Sequence, residues 1–337
     1  MGQPGISTSN GGSDLEAPLI DLGAGLEQAT REIASACEQW GFFQIVGHGL
    51  DPTLMAEADA QTRWFFAQPI AAKRALSRTA RNPWGYYDRE LTKNLRDKKE
   101  IFDIGPDIAG AAGETGLWAA RTPWPENDAD FSSTMRQFRE ACESLALRLL
   151  GMVCVGLGAD ADRLSDAFRP SSTSFLRLNH YPIEDPLGDE AGAAAAGADL
   201  GIHHHTDAGA LTVLLQDQVS GLQVWQRGEA GDGEWRTVTP TPGALVVNIG
   251  DMLQVWSNDL YAAPVHRVLA MEAVARISLP HFCNPAYEAM VAPLETLVGA
   301  GRPALYRPIS WGEFRQKRAD GDFADYGAEV QISDYRV

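Results

Sequence analysis

His205-Thr206-Asp207-Ala208-Gly209-Ala210-Leu211-Thr212-Val213-Leu214-Leu215-Gln216-Asp217 joins two side chains able to bind a metal to a run of apolar and β-branched residues. Ala210 to Gln216 reads as a strand. In an extended chain, residues two apart project to the same face, so a strand through His205 and Asp207 lets an imidazole and a carboxylate converge on one ion. Moving outward, similar short β-rich segments occur at Phe175 to Tyr181, Leu222 to Trp225, Ala244 to Ile249, Val265 to Leu269 and Arg276 to Phe282. They are separated by turn chemistry such as Ser220-Gly221, Gly231-Asp232-Gly233 and Pro240-Thr241-Pro242-Gly243.

The first half reads differently. Pro18 to Leu22 and Phe42 to Val46 suggest short strands. Leu26 to Trp40, a segment after Asp51-Pro52 running through Phe65-Phe66, and Phe131 to Val155 carry apolar residues at helical intervals. Leu76 to Trp124 reads as loop-rich. Within it the mixed charge run Arg89 to Glu100 reads as a solvated helix or loop face, with a lid over a cleft as its functional alternative. The expected fold is therefore mainly β with flanking helices: a jelly-roll core over 172–285 with an α-rich N-terminal region over 18–155. Residues 1–17 read as a disordered tail, and 286–337 as a C-terminal helix and tail opened by Ser310 and Glu313 in a capping-box pattern. The Ala-rich stretch Gly188 to Gly201 reads as a surface insertion between two strands.

The chain of 337 residues carries 28 Lys+Arg against 45 Asp+Glu, a formal charge of −17 that argues against a nucleic-acid partner. The 45% hydrophobic and 22% charged content is that of a folded globular protein. Neither a signal-peptide pattern nor a membrane-length apolar run is present, which points to a cytoplasmic protein without a membrane partner. The four cysteines lack any CxxC spacing and read as buried thiols.

Three of the seven histidines are consecutive, at 203–205. His203 or His204 could replace His205 only by a register slip that breaks the pairing with Asp207. The third ligand is expected from His266, on the inward face of Val265-His266-Arg267-Val268. Two imidazoles and one carboxylate on one octahedral face describe non-haem Fe(II) oxygenases, and three protein ligands plus water also describe zinc hydrolases. Arg276 and Ser278 share a strand face, as do Asn179 and Tyr181. An inward arginine without an anionic partner costs several kcal/mol. A carboxylate-bearing ligand beside the metal would offset that cost.

Beyond single residues, PLIDL (18–22), WGFFQIVGHGL (40–50), LNHYP (178–182), HTDAGALTVLLQD (205–217) and GLQVW (221–225) form a connected pattern. PGALVVNIGDMLQVWSND (242–259), HRV (266–268) and RISLPHF (276–282) extend it. Together they resemble the Fe(II)/2-oxoglutarate-dependent dioxygenases, in the branch with isopenicillin N synthase, the plant flavonoid oxygenases and aminocyclopropane-carboxylate oxidase. The resemblance implies a double-stranded β-helix with Fe(II) on His205, Asp207 and His266. It implies 2-oxoglutarate as cosubstrate, its distal carboxylate on Arg276 and Ser278 with Asn179 and Tyr181 in the same pocket. It further implies O2 as the second cosubstrate, ascorbate as a candidate reductant, and succinate, CO2 and an oxidised, by default hydroxylated, small molecule as products. The Arg-x-Ser pair alone does not prove 2-oxoglutarate use, because isopenicillin N synthase holds its substrate with the equivalent pair. A 2-oxoglutarate-independent oxidase or cyclase, or a silent metal-binding jelly roll, are the competing readings.

Substrate contacts are expected from Trp84, Tyr86, Phe175, Trp225 and Trp256, with Asn82, Tyr87, Phe102 and Gln223 as further candidates. Arg177, two before Asn179, would suit an acidic substrate. His48, His180 and His281 read as structural. The protein is expected to be a monomer or weak homo-oligomer.

Overall fold

The computed structural model describes residues 16–92, 95–106, 120–126, 128–188, 190, 200–227, 233–323 and 330–337. Most of the expected tail, most of the Ala-rich insertion and the turn at 231–232 lie outside the described residues.

The first half supplies β1 (Leu19–Asp21), α1 (Leu26–Gln39), β2 (Phe42–Val46), α2 (Pro52–Phe66) and α3 (Ile70–Arg74). It continues with β3 (Gly85–Tyr87), β4 (Leu91–Thr92), β5 (Leu95–Arg96), β6 (Glu100–Ile104) and α4 (Ala129–Gly156). Local chemistry sets these ends. Asp51 accepts the Thr53 amide ahead of Pro52 to start α2, and Asp128 accepts the Phe131 amide to start α4. Gly41, at φ +61°, turns α1 into β2, where a Cβ would lie 2.6 Å from the Ala262 carbonyl oxygen.

The second half supplies β7 (Phe175–Tyr181), β8 (Leu200–His205), β9 (Leu211–Gln216), β10 (Leu222–Arg227), β11 (Gly233–Thr237), β12 (Leu245–Ile249) and α5 (Asp251–Trp256). Then follow β13 (His266–Leu269), β14 (Arg276–Cys283), β15 (Met290–Val291), β16 (Ile309–Ser310) and α6 (Trp311–Phe323). Eight strands form one sheet in the order β1-β2-β12-β9-β14-β7-β6-β3, and four form a second in the order β11-β10-β13-β8. Alternation decides which side each residue serves. On β14, Arg276, Ser278, Pro280 and Phe282 line a cavity between the sheets, while Ile277, Leu279 and Cys283 enter the core shared with the helices. On β7, Phe175, Arg177, Asn179 and Tyr181 face the cavity, and Leu176 and Leu178 face that core. Helix α4 packs on β9 and β14 and against α1 and α2, covering the outer face of the larger sheet. No helix among the described residues is long and apolar enough to cross a membrane, and all four cysteines are buried and free.

Three expectations are corrected. The stretch from Leu76 to Trp124 is not simply loop: β3 and β6 extend the larger sheet, with β6 pairing β7 from Glu100↔His180 to Ile104↔Leu176. Its charged positions hid the strand pattern. The Arg89 to Glu100 run is not a solvated face, because Glu90, Arg96, Asp97, Lys99 and Glu100 are all buried. Lys99 Nζ lies 2.6 Å from Glu90 and 3.2 Å from Asp97, while Glu100 takes Lys73, Tyr86 and His180. Finally, β8 ends at His205, so Asp207 stands in the turn beyond the strand and not two places along it.

This network makes the fold acid-sensitive. Burial opposes ionisation of Glu90, but Arg177, Lys99 and Arg78 outweigh it and hold the carboxyl well below the usual range. A depressed folded-state pKa stabilises above the unfolded value of about 4.3 and loses that contribution as pH falls through the folded value. Glu90→Gln should lower stability at neutral pH by about 3–5 kcal/mol, the cost of breaking a buried pair. Thermal melts of both proteins should converge as pH drops below about 4; a constant gap would contradict this assignment.

Candidate active site

The cavity's metal-competent group is His205, Asp207 and His266, the one such cluster found among the described residues, with ligand atoms within 4.8 Å of one another. The β13–β8 ladder sets His266 directly opposite His205, with ring centroids 4.3 Å apart. Both Nε2 atoms lie 3.7 Å from Asp207 Oδ1. Each remaining polar atom is tied back. His205 Nδ1 donates to the His203 carbonyl at 2.7 Å, and His266 Nδ1 to the Pro264 carbonyl at 3.1 Å. These bonds put the proton on Nδ1 and leave the Nε2 lone pairs converging. Asp207 Oδ2 accepts the Thr212 hydroxyl and, at 2.8 Å, the Asn248 amide, leaving Oδ1 toward the imidazoles.

Burial, with His266 beside it, pushes His205 down to about 3, so the ring is neutral at neutral pH. Burial opposes ionisation of Asp207, but His266, His205 and the bonds from Asn248 and Thr212 hold it below the ordinary carboxylate value. Two imidazoles with one carboxylate suit a divalent first-row metal.

A second polar group sits on neighbouring strands of the larger sheet. Arg276 is opposite Tyr181 and Ser278 opposite Asn179 in the β14–β7 register. Asn179 donates to Ser278 Oγ at 3.2 Å, and the Tyr181 hydroxyl lies 3.4 Å from it. Arg276 has no solvent exposure. It donates to Val219 O and Gln216 Oε1, both uncharged, and its Nη1 is buried without a hydrogen-bond partner. Asn179 Oδ1 and Gln216 Nε2 are likewise buried and unsatisfied. Leaving such groups unpaired is costly, so this end of the cavity fits an anionic ligand with several acceptor oxygens.

The expected substrate residues divide. Trp84 and Phe175 line the cavity, their rings 5.6 Å apart, with Phe282 4.8 Å from Phe175. Arg177 also lines it, but its guanidinium grips Asp103 with two bonds and pairs with Glu90, so it is no spare counter-ion for a substrate. Tyr86 lies in the core donating to Glu100, Trp256 packs on Phe168, and Trp225 packs edge-on to Trp235; none lines the cavity. Phe102 is also core. Asn82 bonds the Arg121 carbonyl, Tyr87 stacks under Arg78, and Gln223 bonds Arg267. His48 bridges Gly243 and Leu50, His180 pairs with Glu100, and His281 lies 3.0 Å from Glu143.

Thr212, Asn248 and Gln216 complete the site without being among the expected residues. Each is a polar residue at an inward position of an otherwise apolar strand, and that periodicity was the available signal. Helix α6 brings Trp311, Arg315 and Arg318 to the cavity wall.

Known proteins share this architecture. The 2OG-Fe(II) oxygenase superfamily model matches residues 172–285, and the model for the N-terminal region of the non-haem dioxygenase in morphine synthesis matches residues 17–127. Gibberellin 2-beta-dioxygenase 4 of Arabidopsis thaliana is 32% identical over 311 residues, covering 90% of this chain and 91% of that protein. JOX2, solved in complex with 2OG, Fe and JA, superposes with a TM-score of 0.75 at 30% identity, over 89% of this chain and 84% of that one. The rice dioxygenase for auxin oxidation superposes with a TM-score of 0.72 at 29% identity, over 96% and 100%. With both halves of the chain matched in order, and relatives aligned along nearly its whole length, this protein belongs to the Fe(II)/2-oxoglutarate-dependent dioxygenase family and is an oxidoreductase that acts on a small molecule with Fe(II), 2-oxoglutarate and O2.

Proposed function

We propose that His205, Asp207 and His266 hold the Fe(II), and that Arg276 with Ser278 receives the distal carboxylate of 2-oxoglutarate, Asn179 and Tyr181 lining the same end. The observation that carries this reading is the fully buried Arg276 guanidinium with uncharged partners and an unsatisfied Nη1. Bound iron supplies oxygen activation coupled to decarboxylation of 2-oxoglutarate to succinate and CO2. The chain's residues orient and shield. Thr212 and Asn248 fix the carboxylate's rotamer, the two backbone carbonyls fix the imidazole tautomers, and the sheets exclude water from the cavity floor.

The substrate is read as a small organic acid with an apolar or aromatic body. Trp84, Phe175, Phe282 and Trp311 supply flat apolar walls. Among the described lining residues, Arg78, Lys99 and Arg177 are matched by Glu90, Asp103 and the adjoining Asp97, which leaves Arg276, Arg315 and Arg318 against Asp207. In a protein of charge −17, that local positive excess draws anions to the cavity. The iron-loaded protein should release succinate from 2-oxoglutarate faster when aromatic or alicyclic acids are added. Their methyl esters should stimulate release at least about tenfold less, a difference of about 1.4 kcal/mol. Equal stimulation by acid and ester would remove the charge reading while leaving the dioxygenase assignment in place.

A further inference from the structure

We propose that Asp97 is a positioning residue for the metal ligand His205, acting through His203; this rests on the reading of His205 as a ligand. Among the described residues, strand β8 is the edge of its sheet and pairs with β13 alone. That pairing is irregular: the six residues Leu200–His205 run beside the four residues His266–Leu269, with register shifts on both sides of Val268. The ladder therefore leaves the stretch before His205 weakly defined. An edge strand also presents unpaired amides.

Asp97 meets both needs. It is fully buried, and its Oδ1 accepts the His203 backbone amide at 3.0 Å and the His203 Nδ1–H at 2.9 Å. One carboxylate oxygen thus holds the peptide and the ring of the same residue. The neighbouring Lys98 amide donates to the Leu200 carbonyl at 3.0 Å, docking the segment on the same edge. The carboxylate is itself held: Thr92 donates to Oδ2 at 2.8 Å, and Lys99 Nζ lies 3.2 Å away. The His203 carbonyl then accepts His205 Nδ1–H at 2.7 Å, the bond that aims Nε2 at the metal position. Asp97 fixes the His203 amide and ring on its side of the Cα, which restricts the rotation that places the next peptide's carbonyl, and that carbonyl sets the ligand ring.

Partners one step removed from a metal typically change its affinity 10–100-fold when lost. The test uses the full chain, with Co(II) as a spectroscopic probe for the divalent site. Asp97→Asn, which keeps size but loses the charge, and His203→Ala, which keeps the backbone amide but loses the ring contact, should each raise the Co(II) dissociation constant about tenfold or more. Both should alter the Co(II) visible absorption spectrum. Their combined effect should fall short of the product of the single effects, since they act through one contact. Lys98→Ala removes a side-chain bond to the Ile183 carbonyl from the same segment without touching the carboxylate, and should bind Co(II) as the wild type does. If Asp97→Asn fails to fold, His203→Ala alone decides. Wild-type affinity and spectrum in the folded variants would overturn the proposal, as would equal weakening by Lys98→Ala. Failure of the wild type to bind Co(II), or His205→Ala binding it normally, would instead overturn the ligand reading beneath it.

Discussion

Asp207→Ala should abolish iron-dependent succinate release and weaken Fe(II) or Co(II) binding by more than about 100-fold, beyond the range expected for an outer partner. The size follows from what the carboxylate does. Its Oδ1 is the only charged atom among the three converging donors, 3.7 Å from each imidazole Nε2. Without it, two neutral imidazoles face a divalent ion alone. The variant also strands the Thr212 hydroxyl and the Asn248 amide, both bound to Oδ2. Each buried group left without an acceptor costs about 1–3 kcal/mol. Thermal melts of the metal-free proteins should therefore show a modest loss, separable from the loss of metal affinity. Asp207→Asn refines the test: it keeps the volume but replaces the charged donor by an amide, so its metal affinity should fall nearly as far with a smaller loss of stability. Retained turnover in either variant would exclude Asp207 as a ligand. A wild type that binds iron but never forms succinate, whatever acid is offered, would favour a silent metal-binding jelly roll.

How the sequence encodes this site explains what could be read from it. Period-two alternation was legible wherever inward and outward residues differ in kind, as on β14, where Arg276 and Ser278 alternate with Ile277 and Leu279. Cross-strand register was not visible, yet it turns two separate i, i+2 pairs into a cluster by setting Arg276 opposite Tyr181 and Ser278 opposite Asn179. The His205 to Asp207 spacing pointed to convergence, but a turn stabilised by Thr212 and Asn248 achieves it, and these partners lie five and 41 positions away.

The charged run from Arg89 to Glu100 shows the opposite limit. Local composition says solvent, and the structure pairs several of these charges at long range: Glu90 with Arg177, Asp97 with His203, Glu100 with His180. Buried ion pairs look like surface charge in a sequence, because what distinguishes them is a partner that arrives only with the fold. Arg177 follows the same rule. Its inward direction follows from periodicity, whereas its neutralisation by Asp103 depends on β6 lying beside β7.

Arg276→Met should abolish useful 2-oxoglutarate binding while leaving the metal-free protein at least as stable as the wild type. These two effects have opposite signs because the native arginine is charged, fully buried and matched only by uncharged acceptors. Its desolvation opposes folding until an anion arrives, so an apolar chain of similar volume relieves that penalty. The same substitution removes the fork that a distal carboxylate would engage. Truncating one partner of a buried charged contact costs about 2–5 kcal/mol, roughly 30-fold or more in affinity. Wild-type protein should gain thermal stability with added 2-oxoglutarate, as any ligand of the folded state confers, and the variant should gain almost none at the same concentration. Arg276→Lys should recover little, because a single ammonium cannot reproduce a planar two-point contact. Ser278→Ala, losing one hydroxyl beside the fork, should weaken binding by about tenfold or less. Metal affinity without cosubstrate should be unchanged throughout, which separates this series from Asp207→Ala. If Arg276→Met binds 2-oxoglutarate as the wild type does but loses the response to the acid substrate, the Arg276 and Ser278 pair holds the substrate, as in the branch members that use the equivalent pair for that purpose.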